Sequence, residues 1–172
     1  MKFDDPYYQR LRIFLDASNS ETDRGRALVA ASLIEEMLEE VLRGLFIEGT
    51  ATKSLFDGPN APLSTFSAKT AASRALGLIT LTEFQDIEAV RKIRNAFAHS
   101  VLVSFDDQKI KSWAASLKTG MSTLDALEKG QTSRVDDPKQ RFAMVTTSLV
   151  SALYNRAHYT RKVRLEERDW PT

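Results

Sequence analysis

The sequence predicts an all-α, single-domain helical bundle of about six to seven helices, and three observations carry that prediction. Apolar residues recur at spacings of three and four along most of the chain, the period of a helix that buries one face. Strand-like alternation with β-branched enrichment is nearly absent. A length of 172 residues, 42% hydrophobic and 27% charged, suits one folded core spanning 1–172 and is short for two.

The segment from Tyr7 to about Ala17 carries Leu11, Phe14 and Leu15 on one side after Pro6, a residue suited to a first helical turn. A second helix runs from Ser20 or Thr22 to Leu45, with a stripe of Ala27, Ala31, Ile34, Leu38, Val41 and Leu45. Its small residues Gly25, Ala27, Ala30 and Ala31 allow a neighbour to approach closely, which predicts a central position. Gly49 to Leu63 shifts to Gly, Thr, Pro and Asn, and Gly58-Pro59-Asn60-Ala61-Pro62 cannot sit inside a helix, so a loop or flap is expected there. A third helix from Thr65 to Leu76 should stop near Gly77, and a fourth should open on Thr80 or Thr82 and end near His99. A fifth begins at Asp106 or Asp107 and passes Trp113 to Leu117, with a looser stretch near Met121 to Leu127. Glu128 to Asp137 reads as a connector, and Pro138 opens the last long helix, about 138–163. The tail at Asp169-Trp170-Pro171-Thr172 is expected to fray unless Trp170 docks.

Composition excludes several function classes. With 24 Lys+Arg against 23 Asp+Glu, net +1, no global field draws the chain onto nucleic acid or an anionic membrane. There is no cysteine and there are only two histidines, so neither a metal nor a thiol nucleophile is expected. No Walker-type loop, dinucleotide fingerprint or Ser-His-Asp arrangement stands out, and no cofactor is expected. The N-terminal MKFDDPYYQR has no apolar stretch, and no run nears the roughly 18 apolar residues a membrane span needs. The expectation is a cytoplasmic protein without membrane contact.

The helix ending at His99 is the most informative segment. Phe84, Ile87, Val90, Ile93 and Phe97 share one broad face, and Arg94 falls in the same arc. A guanidinium held there calls for a carboxylate partner. Glu35 offers one, since it interrupts the column Leu28, Ala31, Glu35, Leu38, Leu42, and a buried ion pair between Glu35 and Arg94 is expected, with a structural role. The opposite arc carries Glu88, Asn95 and His99, bordered by Arg91 and Lys92. It reads either as a solvated face closed by a charge-matched histidine or as a polar ligand or partner surface. Lys69, after the Gly58–Ser67 loop, is a further candidate for meeting a phosphate or carboxylate.

Arg91-Lys92-Ile93-Arg94-Asn95-Ala96-Phe97-Ala98-His99, Asp23-Arg24-Gly25-Arg26-Ala27-Leu28-Val29-Ala30-Ala31 and Leu55-Phe56-Asp57-Gly58 carry a resemblance to a known family. So do Ala61-Pro62-Leu63-Ser64-Thr65-Phe66-Ser67-Ala68-Lys69 and Leu76-Gly77-Leu78-Ile79. Together, over about residues 20–105, these blocks resemble the mannitol operon repressor family. The resemblance implies an all-helical fold and a link to transcriptional control of mannitol uptake. A second resemblance is to the higher eukaryote and prokaryote nucleotide-binding (HEPN) helical superfamily. Its ribonucleases carry an Arg, a polar residue and a His after four to six intervening positions; Arg94, Asn95 and His99 fit, with four residues between Arg94 and His99. That likeness implies metal-independent RNA cleavage and a homodimer.

No helix-turn-helix is visible, which argues against direct operator reading. The last helix ends Asn155-Arg156-Ala157-His158-Tyr159-Thr160-Arg161-Lys162-Val163-Arg164, either cations answering the helix dipole or a phosphate-binding patch. The expected function is a non-enzymatic regulator of a mannitol or other sugar-alcohol utilisation operon, working through a protein partner. The alternative is a HEPN-like ribonuclease, or an inactive relative, that uses Arg94, Asn95 and His99 on RNA.

Overall fold

Thr22 starts the first of the long helices by accepting a hydrogen bond from the Gly25 amide at 3.1 Å, leaving the Asp23 carboxylate at the positive end of the dipole. The computed structural model describes residues 22–121 and 136–171. Among them the chain forms six helices and no strand: α1 (Asp23–Leu45), α2 (Thr50–Phe56), α3 (Phe66–Ala75), α4 (Leu81–His99), α5 (Gln108–Ala115) and α6 (Pro138–Lys162). The fold is all-α, as the apolar periodicity predicts. The expected helix from Tyr7 to Ala17, the stretch 122–127 and the connector at 128–135 lie outside the described residues.

The caps are those the sequence signals. Thr65 accepts from the Ala68 amide, Thr80 and Glu83 close a capping box, and Asp137 accepts from Lys139 ahead of Pro138 in the first turn. Gly77, at φ 71°, follows the end of α3, a conformation that costs glycine little. One difference lies in the Gly49–Leu63 segment, where α2 forms. Phe56 holds this short helix in place, buried beneath the Arg43 guanidinium at 4.3 Å from its ring centre and tilted against Phe46 at 6.1 Å. The Gly58–Pro62 stretch beyond it is non-helical, as expected.

α1 lies at the centre, against α3, α4 and α6. Ala27, Ala30, Ala31, Ile34, Met37, Leu38, Val41 and Leu42 are all buried, a wider stripe than one neighbour requires. Asp23 pairs with Lys139 at 2.6 Å near the starts of α1 and α6, and Gly44 meets Thr160 near their ends, so these two helices run parallel. At Gly44 a Cβ would come within 2.5 Å of Thr160 Oγ1, so glycine sets the separation of the two helices. Leu165 extends the contact past the helices by donating its amide to the Leu45 carbonyl at 2.8 Å. Trp170, by contrast, does not dock and is exposed.

α4 runs antiparallel to both. Its first turn meets the last turns of α6 through Glu83 and Arg156, and its last turn meets the first turn of α1, where Arg24 donates to the Ala98 carbonyl at 3.3 Å. Ile87, Val90, Ile93 and Phe97 fill the core from this helix. Phe97, Phe105 and Phe142 then form a tilted aromatic column, with centroids 5.1 and 5.3 Å apart, joining α4 to α6 through the loop before α5.

Asp86 is 2% exposed on α4 and fastens the turn after α5. Its carboxylate accepts from the Lys118 and Thr119 amides and, at 2.6 Å, from the Thr119 hydroxyl. Replacing it strands two backbone donors. Asp86→Ala is therefore expected to lower stability by about 2 kcal/mol, read as a reduced urea midpoint with an unchanged slope.

Candidate functional site

The polar arc of α4 is arranged as two adjacent side-chain pairs. Arg91 donates from Nε and Nη2 to Glu88 at 3.2 and 2.7 Å, one helical turn apart. These hydrogen bonds outweigh burial and hold the Arg91 pKa above its ordinary value. Arg94 donates from Nη1 to the Asn95 side-chain oxygen at 3.0 Å. His99 closes the helix and is exposed, and beyond it Val101 and Leu102 stand out at 82% and 90% exposed. Arg94, Asn95 and His99 thus lie in the last two turns of α4, open to solvent or half-buried, with the Glu88–Arg91 pair nearer the middle of the helix.

The expected ion pair between Glu35 and Arg94 is not formed. Glu35 instead faces α3, where it accepts from Lys69 Nζ at 3.2 Å, and Arg94 bonds its own neighbour Asn95. The physical reason is geometric: α1 packs on α3 and α4 together, and the column that carries Glu35 points to α3. A half-buried Arg94 reaches solvent along the edge of the α4 face and so does without a buried carboxylate.

Lys69 is likewise not part of the α4 surface. It is 6% exposed in the seam between α1 and α3, gripped by Glu35 at 3.2 Å and Glu39 at 2.8 Å. Glu39 also accepts from Arg43 Nε at 2.8 Å, and Arg43 reaches Asp57 at 2.6 Å. Five charged groups therefore tie α1, α3 and the end of α2 together, with Lys69 committed to two carboxylates at once. The sequence held a signal for this network: Glu35, Glu39 and Arg43 are spaced by four and share one face of α1.

The network sets the local titration. Burial would raise the Glu39 pKa, yet hydrogen bonds from Lys69 and Arg43, with their charges, overcome it and hold the carboxyl below its ordinary 4.5. Burial would lower the Lys69 pKa, and the bonds to Glu39 and Glu35 reverse that as well. Among the described residues no group of three or more His, Asp or Glu is placed to hold a metal ion.

A depressed carboxylate pKa contributes stability above 4.5 that is lost as pH falls through the lower folded value. Lys69→Met leaves two carboxylates with a lost cation and is expected to cost about 2 kcal/mol at pH 7. The gap to the wild type should narrow as pH drops below 4.5, where the carboxyls protonate. Urea titrations of both proteins at neutral and acid pH check this; a gap that does not change with pH would contradict it.

No protein-family model matches this chain, and no curated protein matches it. Among solved structures, a chain in the X-ray structure of the MtlR-HPr complex from Escherichia coli is similar, with a TM-score of 0.56 and 20% sequence identity. The match covers 87% of this chain and 96% of that one. At this identity the likeness is one of fold: an MtlR-like helical arrangement runs through nearly the whole of both chains.

Proposed function

We propose that this protein is a non-enzymatic, cytoplasmic regulator of a mannitol or related sugar-alcohol operon that works by docking a protein partner. The observation that carries the reading is the fold shared, along almost its entire length, with a chain of a protein–protein complex, MtlR-HPr. The blocks over residues 20–105 that resemble the mannitol operon repressor family point the same way. Among the described residues no helix is long and apolar enough to cross a membrane.

Val101 and Leu102 supply the contact in this reading. Two adjacent aliphatic side chains at 82% and 90% exposure expose apolar surface to water beside the polar end of α4. A partner that covers them and hydrogen-bonds to Asn95 or His99 gains an apolar centre with a polar rim. HPr is the partner to test. Calorimetric titration with HPr should give saturable binding, and Val101→Asp and Leu102→Asp should each weaken it by about tenfold or more, with helicity unchanged. The protein alone should not shift DNA from upstream of the operon at physiological salt. Absence of heat with HPr, or a gel shift by the protein alone, would overturn the partner-docking reading.

One observation favours a second reading. Arg94 makes no ion pair among the described residues, and it stands with Asn95 and the exposed His99 at one helix end. A ribonuclease needs little more: RNA brings its own 2′-hydroxyl nucleophile, a histidine moves the proton and a guanidinium stabilises the phosphorane. Two copies in a homodimer would bring two such sets together. Cleavage of mixed single-stranded RNA in chelator, lost in Arg94→Ala and His99→Ala variants that remain folded, would establish this reading; the regulator reading expects no cleavage above background.

A further inference from the structure

At the far end of the bundle from His99, where α1 and α6 finish side by side, a cleft of about 720 Å3 opens. Its wall carries four cations, Arg43, Lys53, Arg161 and Arg164, against two carboxylates, Glu40 and Glu48. Arg43 is fixed by Glu39, Asp57 and the Phe56 ring and serves as wall. The remaining three cations face two carboxylates, a surplus of positive charge in a concave site.

The three differ in how firmly they are held. Arg164 donates from Nε to the Gly44 carbonyl at 3.3 Å, which satisfies one acceptor at the end of α1, and directs Nη1 to Glu48. Arg161 donates from Nη2 to Glu40 at 3.1 Å with more than half of its side chain exposed. Lys53 makes no ion pair among the described residues. Glu48 is the loosest member, 78% exposed just past the helix, and a carboxylate so exposed leaves its partner at little cost.

We propose that this cleft binds the phosphate group of a small phosphate monoester, which displaces Glu48 from Arg164. A carboxylate offers two oxygens and one charge, and the resident Glu48 already supplies that. A phosphate offers three acceptor oxygens and nearly two charges, enough for Arg164 Nη1, the Arg161 guanidinium and Lys53 together. The cleft volume falls in the range of small-molecule sites, so there is room for an organic group beyond the phosphate. Glu48 then acts as an internal competitor, a carboxylate that holds the arginine until a stronger anion arrives. This inference stands apart from the partner surface at the other end and does not depend on it.

The test uses the full chain, titrated with inorganic phosphate and with glycerol phosphate at matched ionic strength in chloride, followed by backbone amide NMR shifts. Saturable shifts confined to residues around 44–53 and 161–165 are expected, with glycerol phosphate binding at least as tightly as inorganic phosphate. Arg161→Gln and Arg164→Gln should each weaken binding by about tenfold, the loss of a charge-assisted hydrogen bond. Glu48→Gln should strengthen it by about threefold, because the competing pair is gone. Lys109→Gln, an exposed residue in the first turn of α5, serves as the control and should change nothing. The proposal is overturned by non-saturable shifts, by binding of inorganic phosphate alone, by a Lys109→Gln effect equal to the arginine variants, or by a Glu48→Gln variant that binds no more tightly than the wild type.

Discussion

The close parallel contact of α1 and α6 is the constraint on which the rest of the bundle depends. α1 buries one broad face, from Ala27 to Gly44, wider than the stripe a single neighbour covers. α6 covers one side from Asp23–Lys139 at the start to Gly44–Thr160 near the end, and at Gly44 a side chain would strike Thr160. That separation places Leu165 within reach of the Leu45 carbonyl and leaves α3 and α4 to close the remaining faces. Two parallel helices also bring two C-termini, and hence two sets of free carbonyls, to one end of the molecule. Arg161, Lys162 and Arg164 gather there, and Arg164 bonds directly to Gly44.

Against this parallel pair, α4 is held by two buried carboxylates with different duties. Glu83 accepts from its own cap amide at Thr80 and from both terminal nitrogens of Arg156, so a local cap also locks α4 onto α6. Asp86, three residues later, binds backbone amides instead of a cation and fixes the turn that follows α5. Charged side chains on an inward face thus hold separate chain segments in register where apolar contact alone would let them slide. Both are satisfied by several donors, which is the condition under which buried carboxylates are tolerated.

Local signals in the sequence were legible and distant ones were not. Thr22, Thr65, Thr80 with Glu83, Gly77 and Pro138 mark helix ends through chemistry confined to three or four residues, and each sits where that chemistry predicts. The same periodicity identified the inward face of α4 and the small-residue stripe of α1. It could not say which neighbour each face meets, because period fixes a direction around one helix and carries no information about the next. For that reason the pattern in one segment points Glu35 to Arg94 although Glu35 faces Lys69, and it leaves Lys69 open as a ligand group although Glu35 and Glu39 both hold it. Asp86 and Arg156 find partners 33 and 73 residues away, beyond any pattern in one segment. α2 carries no legible signal, because seven residues rich in Thr and Ser have almost no helix propensity, and its position rests on Phe56 under Arg43.

The antiparallel run of α4 decides how the candidate surfaces are distributed. Because α4 ends where α1 begins, His99, Val101 and Leu102 lie at one end of the bundle and the arginine-lined cleft at the other, separated by about 34 Å, the length of a 23-residue helix. The two ends differ in chemistry as well. One exposes aliphatic side chains beside a half-satisfied polar arc, and the other exposes cations around a concave space. Between them runs a rigid connection, α1, whose Glu35–Glu39–Arg43 column leads from the centre of the core to the wall of the cleft. An anion that drew Arg164 away from Glu48 would act at the end of the same helix whose first turn holds the Ala98 carbonyl beside His99. α1 is thus one packed element that touches both candidate surfaces, its first turn beside the end of α4 and its last turn in the wall of the cleft.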